Sequence, residues 1–316
     1  MATSLTTTYE GKAALDYFQA AFLTINSLTN GSLVVRENIK YKQVVKRGIV
    51  SGALQGATCD FTDSSTVTID ERVLTLKRFD ASVQICKEDF VQDWEVLNMG
   101  NSAWKAVPTA TLGDFIITSL LGQTMSDLEV MIWQGTAGAN SFAGFETLFA
   151  ADGTVTDVTA TTVTAANVID ELGKIKAAMS TAVKTQPDVE IVVSYNIAEA
   201  YVDALGGFAA LKNVAGTENV SDRGANGYEG RGAMWYNGQQ LSFGGIPIRV
   251  ANGLSDNTAV GTYVRNLWFG TDLLADTTQV RVMDMTSVDL SDNVRFKAMF
   301  GAGVQYGSGA DVVFYS

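Results

Sequence analysis

Residues 112–134, LGDFIITSLLGQTMSDLEVMIWQ, predict a long α-helix around which the rest of the chain packs. Pro108 precedes this stretch, and the glycine-rich loop GTAGANSFAG follows it at 135–144, so both ends carry helix-boundary signals. Apolar residues at helical spacing form one broad surface. They are Leu120, Leu121, Met125, Leu128, Met131 and Ile132. We expect this helix to be the structural spine of the protein.

Upstream of the helix, residues 33–50 and 66–85 alternate loosely between apolar and polar side chains. A period of two is typical of β-strands. The intervening residues 52–65 are rich in Gly, Ser, Thr and Asp, so the pattern predicts a long two-stranded hairpin with a flexible tip. Because an isolated hairpin is barely stable in water, we expect residues 39–79 to contact a neighbouring subunit more than their own core.

The charges of this hairpin are unevenly distributed. Its first strand carries the basic residues Lys40, Lys42, Lys46 and Arg47. Acidic residues lie at or after its tip, at Asp60, Asp63, Asp70 and Glu71. One interpretation is an arm that docks on a surface of opposite charge. The other is a solvated hairpin whose charges only protect a sheet edge from pairing.

The chain begins with a second candidate arm. Residues 11–26, GKAALDYFQAAFLTIN, place Leu15, Phe18, Phe22 and Ile25 on one helical face and predict an amphipathic helix. The helix packs either on its own core or on a neighbouring subunit, and the sequence leaves both open. We take Phe18 and Phe22 as candidate interface residues.

The remaining pattern predicts an α+β fold. A short helix is predicted at 87–99 and a polar, glycine-rich loop at 213–238. A helix at 165–183, a buried strand at 189–194 and a helix at 196–205 form a middle subdomain. Further strands are predicted at 240–250, 264–270, 279–290, 293–306 and 311–315.

Composition excludes several classes of function. The chain of 316 residues has 34 acidic and 22 basic residues, a net charge of −12, so we do not expect sequence-specific DNA binding. It contains no histidine, which excludes a Ser-His-Asp triad and a His-bound metal. Cys59 and Cys86 lack the spacing of a metal or redox pair. We predict no catalytic, cofactor-binding or metal-binding residues, no secretory signal and no membrane-spanning segment.

Four stretches carry a resemblance to a known family. The first two are 83–90, VQICKEDF, and 129–135, EVMIWQG, with Gly144-Phe145 following. The third is the glycine–proline strand 243–250, FGGIPIRV. The fourth combines 267–271, LWFGT, with the segments at 294–296 and 310–313. In this order and spacing they resemble the major capsid proteins of tailed bacteriophages, which have the Hong Kong 97 fold.

The resemblance implies a division of the chain and a function. Its parts are an N-terminal arm at 1–38, an extended hairpin (E-loop) at 39–82, a peripheral domain with the spine helix at 83–145, an axial domain at 146–265, and return strands of the peripheral domain at 266–316. The implied function is self-assembly into pentamers and hexamers of an icosahedral head. The head would be assembled in the host cytoplasm and would enclose double-stranded DNA without sequence-specific contacts. Portal, scaffold and decoration proteins are further expected partners.

Two other functions stay open at this stage. An encapsulin-like nanocompartment would use the same fold to enclose cargo enzymes. A carboxylate-dependent carbohydrate-active enzyme would use acid pairs such as Asp127 with Glu129 or Asp289 with Asp292, and five Trp as a sugar platform. These acids lack the spacing of a known loop motif, so the structural interpretation is favoured.

Overall fold

The computed structural model describes residues 25–52, 54–57, 59, 64–86, 110–205, 241–272 and 280–316. The predicted helix at 87–99, the loop at 213–238 and nearly all of the helix at 11–26 lie outside these residues. In chain order, the described elements are α1 (Asn26–Thr29), β1 (Val34–Arg36), β2 (Lys42–Ser51), β3 (Thr66–Thr75), β4 (Lys77–Cys86), α2 (Ala110–Gln134), α3 (Phe145–Ala150), β5 (Thr156–Val158), α4 (Val168–Ala178), α5 (Thr181–Lys184), β6 (Val189–Val193), α6 (Tyr195–Ala204), β7 (Leu241–Phe243), β8 (Ile246–Val250), β9 (Ala259–Tyr263), β10 (Leu267–Thr271), β11 (Val280–Asp284), β12 (Asn293–Tyr306) and β13 (Val313–Tyr315).

Strand β12 organises a five-stranded sheet. Strand β4 pairs antiparallel along one of its edges, while β10 and β11 pair antiparallel with its two halves along the other. Ala302 belongs to both pairings, because it lies opposite Lys77 of β4 on one edge and opposite Thr271 of β10 on the other. Strand β1 adds to β10 in parallel. Ile117 of α2 packs against the cluster of Ile85, Val294 and Phe296, so the spine helix covers one face of this sheet.

A second sheet has six strands in the order β5-β13-β9-β6-β8-β7. Its central strand β6 is buried at every position, as expected for a strand covered on both faces. Ile191 and Val193 point into a core formed with α4 and α6, whereas Val192 points into a core formed with α2 and α3. The predicted strand at 189–194 and helix at 196–205 are confirmed by β6 and α6.

Several predicted elements are divided in the structure. The predicted helix at 165–183 is two helices, α4 and α5, because Met179 is extended and the Ser180 hydroxyl accepts a hydrogen bond from the Val183 amide. The predicted strand at 240–250 is a hairpin that turns at Gly244 and Gly245, which have φ of 55° and 86°. Such values suit glycine because it has no Cβ.

Sheet boundaries also differ from the predicted strands. The region predicted as one strand at 264–270 contains a helical turn, Val264–Asn266, between β9 of the six-stranded sheet and β10 of the five-stranded sheet. The predicted strand at 279–290 ends at Asp284, whose carboxylate accepts from the Thr286 amide and starts a turn. Helix α3 was not predicted. Strand β12 has the predicted bounds 293–306, and α2 begins two residues before its predicted start.

The long hairpin is present but shorter than predicted. Its strands are β2 and β3, and their register runs from the pair Lys42 and Thr75 at the base to Ser51 and Thr66 near the tip. The first predicted strand is interrupted before β2, where Asn38 has φ of 62°. The second breaks at Leu76, after which β4 joins the five-stranded sheet. Ile39, Leu74 and Leu76 form a small buried cluster at the base.

Candidate assembly surface

The two faces of the β2–β3 hairpin have different surroundings. Directly paired residues of antiparallel strands share a face. We define the outer face by the pairs Lys42–Thr75, Val44–Val73, Lys46–Glu71, Gly48–Ile69 and Val50–Val67. We define the inner face by the pairs Gln43–Leu74, Val45–Arg72, Arg47–Asp70 and Ile49–Thr68. Because the side chains alternate, each face presents every second residue of the printed sequence.

The inner face is bound to the body of its own chain through Arg72. The Arg72 guanidinium lies 2.5 Å from Asp152 Oδ2, and the Tyr306 hydroxyl donates to the same oxygen at 2.6 Å. Arg72 also lies over the Tyr306 ring, 4.8 Å from its centroid. Burial opposes ionisation of Asp152, but hydrogen bonds from Tyr306, Thr154 and Arg72 outweigh it and hold the pKa of this carboxyl well below its usual range.

Arg47 makes a second connection on the inner face. Its guanidinium donates to the buried Ser308 hydroxyl and lies 3.2 Å from Asp70 across the hairpin. The Gln305 amide donates to the Val73 carbonyl at 3.2 Å. The hairpin base is therefore held against β12 and the segment that follows it.

The outer face is exposed and largely aliphatic. Val44 is 50% exposed, Val50 58%, Val67 62% and Ile69 67%. Lys42, Lys46 and Glu71 are also exposed on this face. Single exposed apolar residues are common, but a row of four along about 20 Å of hairpin is a marker of an interaction surface.

Comparison with solved structures finds a similar fold in chains from capsids. The chain is similar to a chain from the capsid of a native GTA particle computed with C5 symmetry, with 15% identity, a TM-score of 0.60 and coverage of 99% of both chains. It is also similar to the capsid of Myoviridae phage XM1, with 11% identity, a TM-score of 0.57 and coverage of 95% of this chain and 94% of that chain.

A chain from Mycobacterium phage Adephagia gives a third match, with 12% identity, a TM-score of 0.58 and coverage of 99% of this chain and 94% of that chain. The chain has the fold of a tailed-phage major capsid protein. No family model matches the sequence, and no curated protein matches it. The capsid fold was thus recognisable from structure and from four short stretches of sequence.

Within this capsid fold, the predicted interface residues separate into groups. Lys42, Lys46 and Glu71 lie on the outer face, and Lys40 is exposed just before β2. Arg47 and Asp70 lie on the inner face and pair with each other. Phe18 and Phe22 lie outside the described residues. The basic first strand therefore does not present one continuous basic surface, because alternation directs Arg47 to the opposite face from Lys42 and Lys46.

Sequence reasoning missed Arg72, Asp152 and Tyr306. They are separated by 80 and 154 residues in the chain, and only the tertiary fold brings them together. No local sequence pattern distinguishes Asp152 from the other acidic residues. Its carboxylate accepts from the Thr154 amide at 2.9 Å, which is a turn contact found at many loop positions.

The carboxylates considered for catalysis do not form a shared site. Glu129 is fully buried and accepts from the Ser27 hydroxyl at 2.6 Å, while Asp127 accepts from Gln123 on the exposed side of α2. Burial raises the pKa of Glu129, and hydrogen bonds from Ser27 and from the Gly253 backbone only partly oppose this. Among the described residues, no group of three potential metal ligands and no helix able to cross a membrane is found.

Proposed function

We propose that this protein is the structural subunit of an icosahedral phage head and that copies of it assemble through their hairpins. The outer face of the β2–β3 hairpin carries this proposal. Burying one of its aliphatic side chains in an interface would stabilise the assembly by about 1.5–3 kcal/mol. The similarity in fold to chains from phage and GTA capsids supports a shell as the assembly.

In this proposal one chain occupies both pentamers and hexamers. The hairpin reaches over a neighbouring copy, and the N-terminal residues around Phe18 and Phe22 form a second arm. The division into arm, hairpin, peripheral domain and axial domain remains a proposal at the borders given above. The change of sheet between β9 and β10 supports a border near residue 265, although β13 returns to the six-stranded sheet.

The proposed content of the shell is double-stranded DNA. A net charge of −12 suits a container, because a strongly basic wall would bind phosphates and impede packing. The matched particles, which are phages and a GTA, favour this content over the cargo enzymes of an encapsulin-like compartment. We propose assembly in the host cytoplasm and a final location in the virion, with portal, scaffold and decoration proteins as partners.

Electron microscopy of the purified chain tests the proposal. We expect closed shells or tubes with hexameric lattices, formed by the chain alone or with a co-expressed scaffold. A protein that stays monomeric under all these conditions contradicts the proposed function. Recovering a cargo enzyme instead of DNA from particles isolated from the native source would favour the nanocompartment.

A further inference from the structure

Residues 25–32, which we call the clasp, lie against a part of the body that contains two buried carboxyl groups. Ile25 and Leu28 pack against the core formed with α2 and α3. Ser27 and Ser32 of the clasp are themselves buried. Each of these serines contacts one of the two carboxyl groups, so the buried polar contacts of the clasp depend on ionisable partners.

The first carboxyl group belongs to Glu129 on α2. It accepts from the Ser27 hydroxyl at 2.6 Å and from the Ser27 amide at 3.4 Å. The Trp133 indole donates to the same hydroxyl at 2.7 Å, and the Gly253 backbone donates to the carboxyl group. No cation of the described residues pairs with Glu129. A negative charge here would therefore be buried without compensation, which is unfavourable as long as the clasp keeps water away.

The second carboxyl group belongs to Glu190 on β6. The Ser32 hydroxyl of the clasp donates to it, and the Arg249 guanidinium on β8 lies 3.5 Å from its Oε2. Asp188 adds a like charge nearby, although Arg265 binds that carboxylate at 2.8 Å. Arg249 therefore compensates the charge of Glu190 only in part, and burial still disfavours the ionised form.

Closing the clasp is coupled to proton uptake by these two groups. Burial raises the pKa of both carboxyl groups, that of Glu190 to about 7. When the clasp opens, water reaches the carboxyl groups and their pKa values return towards the ordinary value of 4.5. Closure is therefore most favourable below pH 4.5, and it weakens as the pH rises through about 7.

We propose that the clasp opens and closes with pH: it is closed on Glu129 and Glu190 while they are protonated, and it opens when they ionise. Opening adds up to about 28 Å of extended chain in front of β1. This lengthens the reach of the proposed N-terminal arm, whose residues join the body through the clasp. The opening itself is a property of the single subunit, whereas its consequence for the arm rests on the proposed shell function.

Hydrogen exchange of the full-length, unassembled subunit tests the clasp. The Ser27 amide donates to Glu129, and the Asn30 amide donates to the Asn26 carbonyl at 2.8 Å. After correction for intrinsic exchange rates, we expect the protection of both amides to fall at least about tenfold between pH 5.5 and pH 8, the factor for one unit of pKa shift. At pH 8 they should exchange faster than the Phe296 amide, which lies between β4 and β11, because the clasp opens while the sheet stays folded.

Neutral variants separate the proton dependence from the contacts themselves. Glu129→Gln combined with Glu190→Gln removes both titrations but keeps an oxygen that accepts from each serine of the clasp. We expect the pH dependence of exchange to disappear in this double variant, and each single variant to lose part of it. Glu146→Gln is the matched control, because Glu146 also accepts from the amide and the hydroxyl of one serine, Ser255, which lies outside the clasp. Thermal melts establish that each variant folds.

The parent chain alone already decides the proposal, even where a variant does not fold. Equal protection of the clasp amides at both pH values overturns it, and so does exchange at pH 8 that is no faster than that of Phe296. A folded double variant with the pH dependence of the parent, or a control with the effect of the double variant, overturns the roles of Glu129 and Glu190. A subunit whose clasp opens as expected but that forms no shells refutes the proposed function instead, so the two failures differ.

Discussion

Arg72 lies 2.5 Å from Asp152, and this ion pair joins the inner face of the hairpin to the segment after α3. Arg72→Met keeps the aliphatic stem but removes the guanidinium. We expect it to lower the free energy of unfolding by about 1.5–3 kcal/mol, the range for a hydrogen bond to a charged group. Lys46→Met on the exposed outer face is the control and should change it by less than about 0.5 kcal/mol. Urea unfolding of both measures this, and equal effects contradict it.

The pH dependence of stability should depend on Glu190. This carboxyl is almost fully buried, and burial raises its pKa from 4.5 to about 7, while Arg249 and Ser32 only partly oppose the shift. Because the pKa of Glu190 is raised in the folded state, its stabilising contribution to the free energy of unfolding is fully present below pH 4.5. This contribution is lost as the pH rises through about 7.

Glu190→Gln removes this titration. Between pH 5 and pH 8 we expect the free energy of unfolding of the parent to fall by up to about 3 kcal/mol more than that of the variant, because each unit of pKa shift corresponds to about 1.36 kcal/mol. Glu199→Gln, on the exposed side of α6, should behave like the parent. Urea unfolding at the two pH values gives the comparison. Parallel profiles for all three proteins would show that Glu190 does not titrate in this range.

The outer face of the hairpin should matter for assembly and not for folding. Ile69→Lys places a charge in the aliphatic row, whereas Thr68→Lys places the same charge on the opposite face one residue away. Both sites are exposed, so the free energy of unfolding should change by less than about 0.5 kcal/mol. Shell yield by sedimentation should fall for Ile69→Lys only. Equal yields would mean that this row is not an interface.

Removing the tip of the hairpin should separate folding from closure of the shell. We expect a variant in which residues 52–65 are replaced by Asn-Gly to keep the β2–β3 register, because this dipeptide suits the two-residue turn that then links Ser51 to Thr66. Its thermal midpoint should stay close to that of the parent. Electron microscopy should show no closed shells. Normal shells would rule out the hairpin as the assembly arm.

Charge at Lys42 and Lys46 should affect the rate of assembly. Both are exposed on the outer face, and exposed charges act mainly on encounter rates. Lys42→Glu combined with Lys46→Glu should slow assembly most at low ionic strength, since a Debye length of about 10 Å at 0.1 M salt already screens such pairs. Light scattering across a salt series measures the rate. Identical rates at every salt concentration would leave these lysines as solvated surface.

The sequence predicted best those elements whose pattern is long and uninterrupted. Helix α2 and strand β12 were correct within two residues, because periodicity and flanking Pro or Gly define both. The sequence did not predict the division of an element where a single side chain ends it. Ser180, for example, separates α4 from α5 within what was predicted as one helix. The change of sheet between β9 and β10 has no local signal, since pairing with β12 decides it.

The candidate surface was predicted in part. The charge pattern indicated the hairpin. The strand register was needed to show that Lys46 and Arg47 lie on opposite faces of it. The role of Arg72 depends on contacts between distant segments of the chain, which a single sequence does not reveal.

Strand β13 has a consequence for synthesis on the ribosome. It pairs with β5 and β9, and its residues enter both main cores, Phe314 on one side and Val313 with Tyr315 on the other. A nascent chain therefore cannot complete either core until residue 315 has emerged. The hairpin emerges long before that, so its aliphatic row is exposed while the body of the subunit is still unfinished. Nascent chains on one polysome can therefore associate through this row before their cores are complete. The time during which they can do so depends on how fast translation finishes.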